Sequence, residues 1–198
     1  MSTKITQLKG QAFLPFPDMT QTLQSELRDR FGVTAVPANI YGELLFYNQK
    51  DLPEQLIELS PYFARTVMKE PFMVTFDSIG EAAGELKKLQ RNWAPYQYTC
   101  FRRAQLIQDK LPYINLKDRK FPVTIPNSPM GLYTLIDEHT MIASAVTSST
   151  LPAGTLHFIE DHENPPSRAY LKIQESLTMA NLLNGTPLPD SNSRCFEA

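Results

Sequence analysis

The sequence predicts an α+β fold, on three observations. Short apolar runs of strand length alternate with stretches whose apolar residues recur every three or four positions. Hydrophobic residues make up 42% of the 198 and charged residues 20%, enough apolar surface for a packed core and too little charge for a disordered polyelectrolyte. Nine of the 16 prolines lie between Pro112 and Pro189, so the later half should hold more loop than the earlier half.

Taken in order, Gln11 to Phe16 reads as a strand. Asp18 can cap a helix in which Met19, Leu23, Leu27 and Phe31 share one face, and Gly32 supplies a left-handed stop. Val33–Val36 and Ile40–Tyr47 read as strands joined across Pro37-Ala38-Asn39. Leu52 to Leu59 can form a short helix with Pro53 in its first turn, and Tyr62 to Met68 returns to a strand. The order βαββαβ is that of a ferredoxin-like sandwich.

A second group of elements begins near Pro71. Phe72 to Phe76 reads as a strand. Ser78-Ile79-Gly80-Glu81 has the spacing of a capping box, opening a helix with Ile79, Ala82, Ala83, Leu86 and Leu89 on one face that runs to about Asn92. Phe101 to Leu111 reads as a further helix stopped by Pro112, followed by a Pro-rich connection to Met130. Leu132–Ile136 and Thr140–Val146 form an expected hairpin, Thr155 to Ile159 an expected strand, and a last helix runs from about Ser167 to Leu183.

Several function classes drop out. The eight glycines form no G-x-G pair and no phosphate loop, which removes the usual dinucleotide and nucleoside-triphosphate fingerprints. Cys100 and Cys195 are too few for a disulfide framework or a cysteine-only zinc site. No apolar run reaches membrane-spanning length, and Met1 to Gly10 lacks the apolar core of a signal peptide. The expectation is a cytoplasmic chain with no membrane partner.

The strongest charge feature is basic. Lys87, Lys88, Arg91, Arg102, Arg103, Lys110, Lys117, Arg119 and Lys120 face only Asp109 and Asp118 within that window, in a chain whose net charge is −2. Such a band attracts phosphates, and the interleaved Trp93, Tyr96, Tyr98 and Phe101 suit stacking on unpaired bases. The blander alternative is a solvated helix face over core aromatics. His157-Phe-Ile-Glu-Asp-His-Glu163 matches no established metal spacing and reads as a solvated acidic loop, so no metal is expected. Cys100 reads as a buried, inert thiol, and Ser148-Ser149-Thr150 as loop.

The stretch Asn164-Pro-Pro-Ser-Arg-Ala-Tyr-Leu-Lys-Ile-Gln-Glu175 is the most specific. Two prolines deliver the chain to a helix start that Ser167 can cap. Arg168 and Lys172 then share a helix face, Glu175 can neutralise Lys172, and Tyr170, Ile173 and Leu177 can face a core. An ordinary amphipathic helix would look the same by spacing alone.

Ser167-Arg168-Ala169-Tyr170-Leu171-Lys172-Ile173-Gln174-Glu175 resembles the S-R-A-x-x-K-L-x-E signature of FtsJ-like RNA ribose 2′-O-methyltransferases, with Ile173 in place of leucine. The upstream chain resembles the RlmM-type group, enzymes of large-subunit ribosomal RNA. Phe13 to Met68, ending in Phe63-Ala-Arg, fits their ferredoxin-like part in element order, and Phe72 to about Ile159, with Phe121-Pro and the late hairpin, fits their THUMP-like part.

The resemblance implies a ferredoxin-like domain over 1–68 and a THUMP-like RNA-binding domain over 69–163. Residues 164–198 would be the first helix of a Rossmann-like methyltransferase domain plus a polar tail. Lys172 matches the first lysine of the family's Lys-Asp-Lys-Glu set, which implies a catalytic role in orienting or deprotonating the ribose 2′-hydroxyl. The basic band supplies the candidate RNA contacts Lys87, Lys88, Arg91, Arg102, Arg103 and Lys110. Beside the signature lysine, Arg168 could add phosphate attraction, and Glu175 matches the signature glutamate, for which the resemblance implies a structural role. The family's D-x-G-x-x-P-G-G loop for S-adenosylmethionine has no counterpart before residue 198, and about 15 residues after Asn184 are too few for a βαβ unit of about 30 or more. The expected chain is therefore the truncated RNA-recognition portion of a 23S ribosomal RNA 2′-O-methyltransferase. Alone it should be inactive and hold no cofactor, with a separate methyltransferase domain as a conceivable partner. The competing expectation is a stand-alone RNA-binding module.

Overall fold

The structure is a computed structural model that describes residues 3–165, 167, 169–190 and 192–194. It is mixed α+β and divides into two compact units. One comprises residues up to Asn115 with Ser128–Thr155, the other Leu116–Asn127 with the residues from Leu156 onward.

The first unit opens with β1 (Lys4–Gln7), β2 (Gly10–Pro15), α1 (Thr20–Phe31), β3 (Asn39–Tyr41), β4 (Leu44–Asn48), the short α2 (Gln55–Glu58) and β5 (Ala64–Met68). β2 to β5 form an antiparallel sheet in the order β3-β4-β2-β5. Its strands alternate as their side chains dictate. Phe13, Leu45, Tyr47 and Val67 pack against Leu23, Leu27 and Phe31 of α1, while Ala12, Leu14, Leu44, Phe46 and Met68 point the other way. α1 begins later than Asp18 suggests. Asp18 sits at φ 62, and the cap position falls on Met19 with no side-chain cap. Gly32 does stop the helix, at φ 72, with its N–H on Arg28 O and the Val33 N–H on Leu27 O. That closure draws Val33 into the core as loop, so Val33–Val36 is not a strand. The run Ile40–Tyr47 is a hairpin instead of one strand, because Gly42 takes φ +64 at the first position of a two-residue turn.

The same unit continues with β6 (Phe72–Thr75), α3 (Ile79–Leu89), β7 (Trp93–Pro95), α4 (Phe101–Lys110), β8 (Gly131–Leu135) and β9 (Thr140–Ser144). The second sheet runs β1-β6-β9-β8-β7, with only β7 and β8 parallel. On one face Val74, Trp93, Tyr133 and Met141 meet Ala82, Ala83 and Leu86 of α3 and Ala104 and Ile107 of α4. On the other, Leu132 and Ile142 meet the free face of the first sheet. This unit is therefore built in four layers, helix, sheet, sheet and helices, with a shared core between the sheets. β1 and β7 were not expected from sequence.

The capping box is present in full. Ser78 Oγ accepts from the Glu81 N–H at 3.2 Å, and the Glu81 carboxylate accepts from the Ser78 N–H. Ser78→Ala is expected to cost about 1 kcal/mol in chemical denaturation. The Tyr133 hydroxyl lies 3.2 Å from Ala104 O and 3.1 Å from Gln108 Oε1, both acceptors, so its one proton is held between them. Burial pushes its pKa well above the ordinary tyrosine value, with the Asp109 charge adding to the shift. The folded state keeps that proton while the unfolded chain loses it near about pH 10. The stability it contributes is complete below that pH and falls above it by up to about 1.4 kcal/mol per pH unit. Tyr133→Phe should flatten the alkaline limb of a stability-against-pH curve.

The second unit holds α5 (Tyr170–Asn184), closed by Gly185 at φ 67. The expected strand over Thr155–Ile159 is reduced to a single bridge between Arg119 and Phe158, whose ring meets Phe121 edge-on. Ser167 does not cap α5. Its Oγ accepts from the Ala169 N–H at 3.3 Å, and Ala169 holds the cap position without a side-chain cap. Ile173 is 56% exposed and faces no core; Thr178 is the buried position of the helix.

Candidate nucleic-acid interface

The directions of the strands decide where the basic residues go. β6 and β8 are each antiparallel to β9, and β7 is parallel to β8, so β6, β7 and β8 run the same way. α3 follows β6 and α4 follows β7 on the same face, which makes the two helices parallel neighbours. Their amino ends lie together beyond the carboxyl ends of the strands, the edge where open α/β sheets usually build sites.

A cavity of about 540 Å³ opens at that end, lined by Ile79, Cys100, Phe101, Arg102, Arg103, Leu106 and Glu138. Cys100 precedes α4 at φ 49, and no side chain caps the helix. It is half-buried, where full burial was expected. Arg103 donates from Nη2 to Asp77 O at 3.3 Å, with its guanidinium 5.6 Å from the Phe76 ring centre, while its buried Nε has no acceptor. Arg102 and Glu138 are exposed and enter no hydrogen bond or ion pair among the described residues. Phe101 and Leu106 are 60% and 42% exposed.

An aromatic cluster lies in the loop leading into α4. Tyr96 and Tyr98 stack with ring centres 5.9 Å apart, and the Tyr96 hydroxyl accepts from the Glu43 N–H at 2.8 Å. Gly42 fits beneath them, since a Cβ there would come within 2.7 Å of both tyrosines. The Arg65 guanidinium lies 5.8 Å from the Tyr96 ring centre, and its buried Nε has no acceptor. Burial raises the pKa of Tyr96 and Tyr98, and burial lowers that of Arg65 against the pull of Tyr96 and Glu43. Trp93, expected among the stacking aromatics, is fully buried and donates to Leu86 O at 2.9 Å.

The basic band is thus divided. Arg102 and Arg103 stand at the amino end of the helix pair. Lys87, Lys88, Arg91 and Lys110 stand at or just beyond the carboxyl end, roughly 12–15 Å away at 1.5 Å per residue. Lys88 is held by Glu85 at 2.7 Å, an exposed pair worth little in itself. Lys172 lies exposed in the first turn of α5 and forms no ion pair with Glu175. Arg168 lies outside the described residues. Arg65 and Glu138 were missed by sequence reasoning; no spacing links them to Tyr96 or to α4.

Gly185 closes α5 at φ 67, and among the described residues no strand follows it. No group of three or more His, Cys, Asp or Glu is placed to hold a metal among the described residues, where His162 and Glu160 stand 3.9 Å apart. No helix among them is long and apolar enough to cross a membrane.

Fold and site together define a mixed α+β chain with two sheets and a cavity at the helix amino ends lined by Phe101, two arginines and Glu138. No protein-family model matches the chain, and no curated protein matches it.

Proposed function

We propose that this chain is the RNA-recognition portion of an S-adenosylmethionine-dependent 23S ribosomal RNA ribose 2′-O-methyltransferase, acting in the cytoplasm and without catalysis of its own. The observation that carries the proposal is the first sheet. Its order, β3-β4-β2-β5 with every neighbour antiparallel, is consistent with the split βαβ arrangement that the resemblance implies, and so supports the reading. The signature helix adds support, because Lys172 is in solvent, open to a ribose brought to it. In the parent activity this lysine would orient or deprotonate the 2′-hydroxyl.

The arginine–tyrosine cluster and the cavity favour a second reading, a stand-alone RNA-binding module. Both readings require an electrostatic grip on phosphates. Affinity for a 23S ribosomal RNA transcript should therefore fall linearly on a log–log plot against salt. Neutralising Lys87 or Lys110 to Gln should lower that slope by about one each if each meets a phosphate. Salt-independent binding, or none, would contradict both readings.

A further inference from the structure

We infer that the cavity at the amino ends of α3 and α4 accepts one unstacked guanine nucleotide. This inference rests on the RNA-recognition reading and names the ligand of that site. The cavity, about 540 Å³, is lined by both apolar and charged groups. Phe101 and Leu106, which line it, are 60% and 42% exposed. An aromatic ring offered to solvent beside arginines is a stacking platform for a base.

The charged groups supply the two ends of a nucleotide. Arg102 has no partner among the described residues. Arg103 is anchored through Nη2 to Asp77 O and stacked near Phe76, which fixes its guanidinium. Its Nε is buried without an acceptor, so the phosphate is met by the exposed Arg102 together with the remaining N–H groups of the Arg103 guanidinium.

The same cavity is lined by Glu138 from the β8–β9 turn, a carboxylate with no donor among the described residues. Its two oxygens accept side by side. Guanine is the one common base with two adjacent donors, N1–H and the 2-amino group, on its Watson–Crick edge. Adenine and cytosine offer a single amino group, and uracil a single N–H between two carbonyls. Arg102 and Arg103 thus take the phosphate, Phe101 the base face, and Glu138 the guanine edge.

The test uses the full chain and fluorescence anisotropy with single-stranded RNA 8-mers, each carrying one guanine or one uracil at the centre of an otherwise identical strand. Guanosine 5′-monophosphate, followed by calorimetry, is the second probe. The guanine strand should bind more tightly, and Phe101→Ala should weaken it by about tenfold or more. Glu138→Gln should abolish the preference for guanine while sparing the uracil strand. Phe101 and Glu138 are exposed, so unchanged melting curves would exclude a folding defect.

If RNA binds but neither variant alters it, the inference is overturned and RNA recognition stands. If no RNA binds but guanosine monophosphate does, and Glu138→Gln abolishes this, the pocket stands and RNA recognition falls. If neither probe binds, both are overturned.

Discussion

Trp93→Ala should destabilise the first unit by about 3–5 kcal/mol, the largest single effect expected in the fold. The indole is fully buried, and its N–H donates to Leu86 O and Gln90 O at the end of α3. Truncation would leave a cavity where β7, α3 and α4 meet and would free two helix carbonyls from their donor. The denaturation midpoint should drop with little change in slope, as expected when stability changes and compactness does not. Trp93→Phe should recover part of the packing and none of the hydrogen bonding, so it should fall between the two. A loss under about 1 kcal/mol for the alanine variant would contradict the place given to this residue.

Reversing both arginines at the cavity, Arg102→Glu with Arg103→Glu, should lower RNA affinity on the order of 100-fold, the scale of two lost charge-assisted hydrogen bonds. The substitution should not unfold α4. Glutamates in its first turn lie at the positive end of the helix, where acidic side chains are favourable. Reversing Lys87 and Lys110, at the far end of the helix pair, should weaken binding less and mainly through the salt dependence. Equal losses from the two ends would mean a diffuse basic surface with no focus at the cavity.

The sequence was most legible where one local interaction decides the structure. Ser78 and Glu81 satisfy each other's backbone donors within a single turn, and Gly32 takes the left-handed conformation that ends α1. The β8–β9 hairpin was also readable, because apolar runs flank Asp137-Glu138-His139. β1 and β7 were not, since four and three residues are too short to show a period and each exists only by pairing with a distant strand. The Gly42 turn was hidden between two apolar runs that merge into one when read linearly.

The site was legible only in part, for a related reason. Counting charges from Lys87 to Lys120 gives one band, but strand direction makes α3 and α4 parallel, which leaves Arg102 and Arg103 at one end of the pair and Lys87, Lys88, Arg91 and Lys110 at the other. Trp93 reads as a stacking residue from its neighbours, and its burial is decided by the tertiary fold. Glu138 reaches the α4 end from the β8–β9 turn, and Arg65 reaches Tyr96 from β5, placements that sequence distance conceals.

The most direct test of the RNA-recognition proposal is an affinity map of 23S ribosomal RNA, cut into overlapping transcripts and titrated with this chain at one fixed salt concentration. A chain that recognises this RNA should bind one fragment about tenfold or more tightly above the rest, with Arg102→Glu and Arg103→Glu abolishing that preference. Uniform affinity across every fragment and across unrelated RNA of the same length would contradict it.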